Sequence, residues 1–157
     1  MKHLVTTSER TSPRELTVTR DFDAPARLIF AAWSRPELLR RWWVPKSFPI
    51  TLLSCEADVR TGGTYRFEFG HPASDQPMAF FGRYLEVIPD QRIVWTNDEN
   101  PPGSVTTLTL EEAAGRTRLV LRDLYPSAEA LDEAIASGST AGYDEQFVQL
   151  DALLADG

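Results

Sequence analysis

The chain has 157 residues, 42% hydrophobic and 10% aromatic, with a formal net charge of −7, a size that fits one globular domain burying roughly 68–70% of its unfolded surface. Its acidity argues against nucleic-acid binding, which needs a basic face to displace counterions, and no apolar run approaches the ~18 residues of a membrane span. A single cysteine, Cys55, leaves no intramolecular disulfide, and the polar start MKHLVTTSERTSPR lacks the apolar centre of a signal peptide, so a cytoplasmic setting is expected.

Residues 1–14 read as a polar N-terminal arm, either loose or paired like a strand through Leu4-Val5-Thr6-Thr7, and a single domain follows over 15–155. Glu15 to Phe22 alternates Leu16 and Val18 with Thr17 and Thr19, the period of a half-buried strand. From Phe22 to Pro45 the chain reads FDAPARLIFAAWSRPELLRRWWVP. Leu28, Ile29, Ala32 and Trp33 form one apolar stripe at helical spacing. Pro25 suits the first turn, where its missing N–H loses no partner, and Asp23 stands before it as a cap. Pro36 opens a second short helix, with Ser34 as its cap and Leu38, Leu39 and Trp42 on its apolar face.

Ile50 to Val59 reads as a strand ended by the turn Thr61-Gly62-Gly63, whose glycines supply positive φ. Thr64 to Gly70 sets Tyr65, Phe67 and Phe69 on one face and Thr64, Arg66 and Glu68 on the other. A strand from Met78 to Val87, a Pro89-Asp90 turn and a short strand from Arg92 to Thr96 follow, then the loop NDENPPG over 97–103. Val105 to Glu111 and Thr117 to Leu124 make a hairpin through residues 112–116. Ser127 caps a helix that Ser137-Gly138-Ser139 interrupts, and a last helix places Tyr143, Phe147, Leu150 and Leu154 at i, i+4, i+7 and i+11. The order is one strand, two short helices, six antiparallel strands and a long helix. A sheet with one wet face must bury the other. The expected class is therefore α+β, a curved antiparallel sheet wrapped around the C-terminal helix.

Three segments carry a family resemblance: Phe22-Asp23-Ala24-Pro25, then Ala32-Trp33-Ser34-Arg35-Pro36-Glu37-Leu38, then Trp42-Trp43-Val44-Pro45. With Cys55 to Gly63, Phe81 to Val87 and the closing helix after Gly142, they resemble the SRPBCC (START-like, Bet v 1-like) superfamily, in its branch of activator of Hsp90 ATPase homologues. The resemblance implies the helix-grip fold. It also implies a tryptophan beside the glycine that opens the last helix; here the pair is Gly142-Tyr143, which adds a hydroxyl.

A sheet gripping a helix leaves a space that is either filled or a pocket. The candidate ligand-binding residues are Trp33, Trp42, Phe48, Tyr65, Phe67, Phe69, Phe80, Tyr84, Trp95, Tyr143 and Phe147. The alternative is that these rings fill the core, each burying ~150–250 Å². Trp42 and Trp43 are adjacent, so one packs on the sheet while the other lies near the surface. There, by a corner that in the resembled superfamily often rims the cavity mouth, it either invites a ligand, a partner or a dimer contact or lies flat under Pro45 and Phe48, closing the end of the domain. Tyr84, Tyr143, Thr107 and Thr109 are candidate polar anchors. Asp58 and Arg60 share strand parity and read as a pair fixing the following turn; Cys55 reads as buried and inert.

Arg35, Arg40, Arg41 and Lys46 read as a solvated helix edge, and Asp98-Glu99-Asn100 as a solvated loop. The two histidines, His3 and His71, have no metal-ligand spacing. With no G-x-S-x-G elbow and no Gly-rich phosphate loop, no catalytic residue, metal ligand or cofactor is assigned.

Three functions follow in order of preference. The first is binding of a small hydrophobic molecule in the cavity: burying roughly 200–300 Å² at ~25 cal/mol/Å² gives roughly 5–7 kcal/mol before ordering costs. The second, implied by the resemblance because some members of that superfamily are such enzymes, is an enzyme of the cyclase or hydrolase type. It needs a general acid or base inside the cavity, so a buried carboxylate there would bring it forward. The third, implied by the resemblance alone, is a chaperone partner of the Hsp90 kind. The stimulating activators carry an additional N-terminal domain, whereas about fourteen residues precede the first expected strand here.

Overall fold

In strand β2 (Glu15–Phe22) half-buried and buried positions alternate without a break, so Leu16, Val18, Arg20 and Phe22 share the inner face. The strand belongs to one eight-stranded antiparallel sheet, in the order β1-β2-β8-β7-β6-β5-β4-β3. The other strands are β1 (Thr7–Ser12), β3 (Thr51–Ala57), β4 (Thr64–Gly70), β5 (Met78–Ile88), β6 (Arg92–Thr96), β7 (Val105–Ala113) and β8 (Arg116–Leu124). Helices α1 (Ala26–Ser34) and α2 (Pro36–Trp42) follow β2, while α3 (Ala128–Ala136) and α4 (Tyr143–Asp156) close the chain. This computed structural model describes residues 5–99, 101–137 and 142–156; His3, Leu4, Asn100 and the Gly138-Ser139 interruption lie outside the described residues. The architecture is the α+β helix grip, a curved sheet around a long C-terminal helix.

The core lies between the sheet and helices α1, α2 and α4. Val18, Phe22, Ile29, Leu108, Leu119, Phe147 and Leu150 are fully buried there, each such side chain contributing about 1.5–3 kcal/mol. Phe22 and Phe147 meet edge to face at 5.7 Å. One charge is buried with them. Arg20 grips Asp151 of α4 with both terminal nitrogens, Nη1 to Oδ1 at 2.7 Å and Nη2 to Oδ2 at 2.5 Å.

The expected arm is structured from residue 7 on, because β1 pairs along the edge of β2, Thr7 opposite Thr19 and Arg10 opposite Leu16. All six of its side chains are exposed, so it has no apolar alternation to reveal it. Main-chain pairing and contacts such as Arg10 to Asp132 at 2.7 Å hold it instead.

Both expected caps in the corner are corrected. Pro25 is itself the N-cap of α1, and the Ala26 N–H donates to Glu112 of the β7–β8 hairpin at 2.7 Å. Asp23 is exposed. Ser34 ends α1, while Arg35 occupies the N-cap of α2 without a side-chain cap. Ser127 does cap α3, accepting from the Ala130 N–H at 3.1 Å. The turn after β3 is held by Arg60 donating to Asp58 at 2.8 Å, and Gly62 takes φ +89° there.

Candidate functional site: an aromatic cavity with a buried carboxylate

Register builds the back wall of the site. Tyr84 of β5 lies opposite Trp95 of β6, Trp95 opposite Thr106 of β7, and Thr106 opposite Asp123 of β8. These four residues form one row across four strands, and all four line a cavity of about 930 Å³ beneath the helices. Such a volume suits a small organic molecule.

Two further walls close it. Trp33 of α1 stands against Trp95 at 5.6 Å, and Trp43 meets Phe67 and Phe80 edge-on at 5.2 and 5.4 Å. The segment after α2 is held by α4. Gln149 donates to the carbonyls of Trp42 at 2.9 Å and Val44 at 2.8 Å, and Gln146 donates to that of Trp43. These carbonyls, at and just beyond the open end of α2, would otherwise lack partners. Glu145 accepts from the Ser47 N–H at 2.9 Å, and its hydrogen bonds to Ser47 hold its carboxyl below the usual carboxylate range. Pro45 and Phe48 of this segment thereby reach the cavity.

Of the eleven candidate residues, Trp33, Phe48, Tyr65, Phe67, Phe80, Tyr84, Trp95 and Tyr143 line the cavity. Trp42, Phe69 and Phe147 do not. Trp42 is fully buried behind Trp33, its rings 4.8 Å away, with its indole N–H on the Ala32 carbonyl at 3.1 Å. Phe69 stacks on Phe80 at 4.8 Å, and Phe147 is spent on Phe22 in the core. Trp43 is half-buried rather than an exposed edge: it follows the last residue of α2 and lines the cavity with Pro45 and Phe48. The exposed tryptophan that would favour a homodimer is therefore absent from this corner.

The polar anchors are also rearranged. Thr107 and Thr109 share strand parity with exposed Glu111, whereas Thr106, Leu108 and Leu110 are buried. Thr106 donates to Asp123 Oδ1 at 2.5 Å, and Tyr143 donates to Oδ2 at 2.6 Å. Asp123 is 4% exposed. Burial pushes its carboxyl pKa up, against the pull of those two hydrogen bonds. Burial, then the neighbouring Asp123, raises Tyr143 as well and pushes Tyr125 up to about 12. Tyr65 donates to the Thr96 carbonyl at 2.7 Å, so it faces the cavity with a committed hydroxyl. Asp123 carried a readable signal in strand parity: Thr117, Leu119 and Leu121 are buried on the same face.

The remaining charged candidates lie elsewhere. Arg35, Arg40, Arg41 and Lys46 are exposed. Asp98 pairs with Arg83 at 3.3 Å, while Glu99 is drawn onto the cavity wall rather than left in a solvated loop. Cys55 is half-buried, and burial raises its thiol pKa, which suits an inert residue. His71 accepts from the Ala73 N–H at 3.0 Å. Among the described residues no cluster of three His, Cys, Asp or Glu side chains could hold a metal, and no helix is long and apolar enough to cross a membrane.

A curved sheet closed over a long C-terminal helix is the START-like, SRPBCC class of fold. Within it the chain belongs to the family described as activator of Hsp90 ATPase homolog 1-like protein, whose model matches residues 23–155. No curated protein matches the sequence. Among solved structures, a Rhodobacter sphaeroides protein superposes with a TM-score of 0.86 at 24% identity, covering 97% of this chain and 99% of that one. A Nitrosomonas europaea protein gives 0.82 at 24% identity over 94% and 97%. A Chromobacterium violaceum protein gives 0.74 at 31% identity over 90% and 98%.

Proposed function

We propose that the chain binds a small, mainly apolar molecule in the cavity between the sheet and helices α3 and α4. The observation that carries this reading is the 930 Å³ space walled by Trp33, Trp43, Tyr84 and Trp95. An ordinary core is close-packed and leaves few voids larger than a water molecule. Hydrophobic burial supplies the affinity, and the polar side chains of the wall set orientation.

Intrinsic tryptophan fluorescence, titrated with a panel of neutral hydrophobic metabolites and paired with thermal-shift scans, tests it. A saturable response with a raised melting temperature is expected. Trp95→Ala should weaken binding roughly tenfold, because a ring that shields the ligand from water is gone. Ala130→Trp, which plants a large ring on the cavity wall, should abolish binding while leaving the fold intact. A response that survives Ala130→Trp unchanged would place the ligand elsewhere.

A second reading, catalysis in the same cavity, is favoured by Asp123, the buried carboxylate that a general acid or base requires. Turnover of a bound panel compound that Asp123→Asn abolishes, with its affinity retained, would bring this reading to the front. Unaltered ligand recovered from the wild type would leave the binding reading alone.

A further inference from the structure

We propose that the ligand of this cavity carries a cationic nitrogen, an apolar amine in chemical class, and that Asp123 is the group that receives it. The inference rests on the binding reading above and deepens it. Buried charges in proteins are paired, and the two among the described residues, Arg20 and Asp123, differ in how. Arg20 has Asp151. Asp123 is just as buried, yet the contacts on its two oxygens are both neutral hydroxyls.

Among the described residues the cavity wall offers no cation. Its described lining residues include three carboxylates, Glu99, Asp123 and Glu133, and no arginine, lysine or histidine. A carboxylate ligand such as a fatty acid would meet three carboxyl groups there and no cation among the described lining residues. A cation meets the opposite situation, and the tryptophan and tyrosine faces around it add cation–π attraction.

The hydrogen-bond chain has a fixed direction. The Ser104 carbonyl can only accept, so the Asn97 amide turns its NH₂ toward it at 3.2 Å. That NH₂ also reaches Thr106 Oγ1 at 3.1 Å. Thr106 thus accepts from Asn97 and keeps its own proton for Asp123, while Tyr143 gives its proton from the other side. Two donors hold the carboxylate in place, and each oxygen retains a lone pair for a third. An ammonium group supplies donor and counter-charge together.

The test uses one skeleton with three head groups: naphthylethylamine, naphthylethanol and naphthylacetate, titrated calorimetrically into the full chain at neutral pH. The amine should bind at least about tenfold more tightly than the alcohol, the range of a charge-assisted hydrogen bond, and the acetate should not bind. Asp123→Asn should bring the amine down to the affinity of the alcohol and leave the alcohol unchanged. The wild-type series decides by itself if that variant fails to fold. Equal binding of amine and alcohol, or tight binding of the acetate, overturns the inference and leaves the cavity reading standing. Failure of all three probes overturns both.

Discussion

Asp151→Ala should destabilise the protein by about 3 kcal/mol, the lower end of the range for breaking a buried ion pair, seen as a fall in Tm of roughly 10 °C at this chain length. The Arg20 side chain is 1% exposed and that of Asp151 36%, so the two partners are not equivalent. Deleting Asp151 takes the counter-ion from a guanidinium that is buried in the fold. It keeps only the Asp21 carbonyl at 3.1 Å and the face of Phe22 at 4.7 Å, and its Nε has no partner even in the wild type. Deleting both charges is a different experiment. Arg20→Met with Asp151→Ala exchanges the buried cation for an apolar chain of similar length and should recover most of the loss. Equilibrium unfolding of the single and double variants checks this. A double variant no more stable than Asp151→Ala would mean that the pair does not hold β2 to α4 by charge.

The second large effect comes from a glycine. Gly82→Ala should destabilise by roughly 3 kcal/mol, the upper part of the overpacking range, and weaken ligand binding as well. A Cβ at position 82 would lie 2.1 Å from the Thr96 carbonyl oxygen and 2.9 Å from its carbon, so backbone would have to move. The Thr96 carbonyl also receives the Tyr65 hydroxyl, and the next residue, Asn97, starts the chain of hydrogen bonds ending on Asp123. Displacing that segment therefore reaches two parts of the cavity wall together. Gly70→Ala is the control in the neighbouring strand. Its Cβ would meet Leu53 at 3.6 Å, an ordinary approach to a flexible side chain, and stability should change by less than about 0.5 kcal/mol, as for other surface substitutions. Alanine is the better strand residue of the two, so similar losses in both variants would show that the close approach at Gly82 does not set the cost.

What could be read in advance follows the strength of the local signal. The alternation of Tyr65, Phe67 and Phe69 and the helical stripe through Ile29 and Trp33 each have one solution, and the strands and helices stand where those periods put them. Strand β1 had no such period, since its side chains are exposed on both faces and its pairing is main-chain. The α1 cap was illegible for a related reason: Glu112 is 86 residues from the N–H it receives, beyond any local motif. At the site, aromatic character found most of the wall but could not separate cavity from core. Trp42 and Trp43 differ by one residue, and only the end of α2 between them turns one into packing and the other into wall. Asp123 is the opposite case. Its strand parity matches that of Leu119 and Leu121, but an acidic side chain on a buried face runs against composition-level expectation, so it is not among the candidate residues read from the sequence.

The most direct test of a ligand cavity is a two-dimensional nitrogen–proton NMR titration that follows the four tryptophan indole resonances while naphthylethanol is added. Trp33, Trp43 and Trp95 line the cavity and Trp42 lies behind it, hydrogen-bonded to Ala32. Saturable shifts at the first three indoles, with Trp42 nearly still, are the expected result. Four unmoved indoles, or shifts confined to backbone amides on the outer face of the sheet, would contradict it.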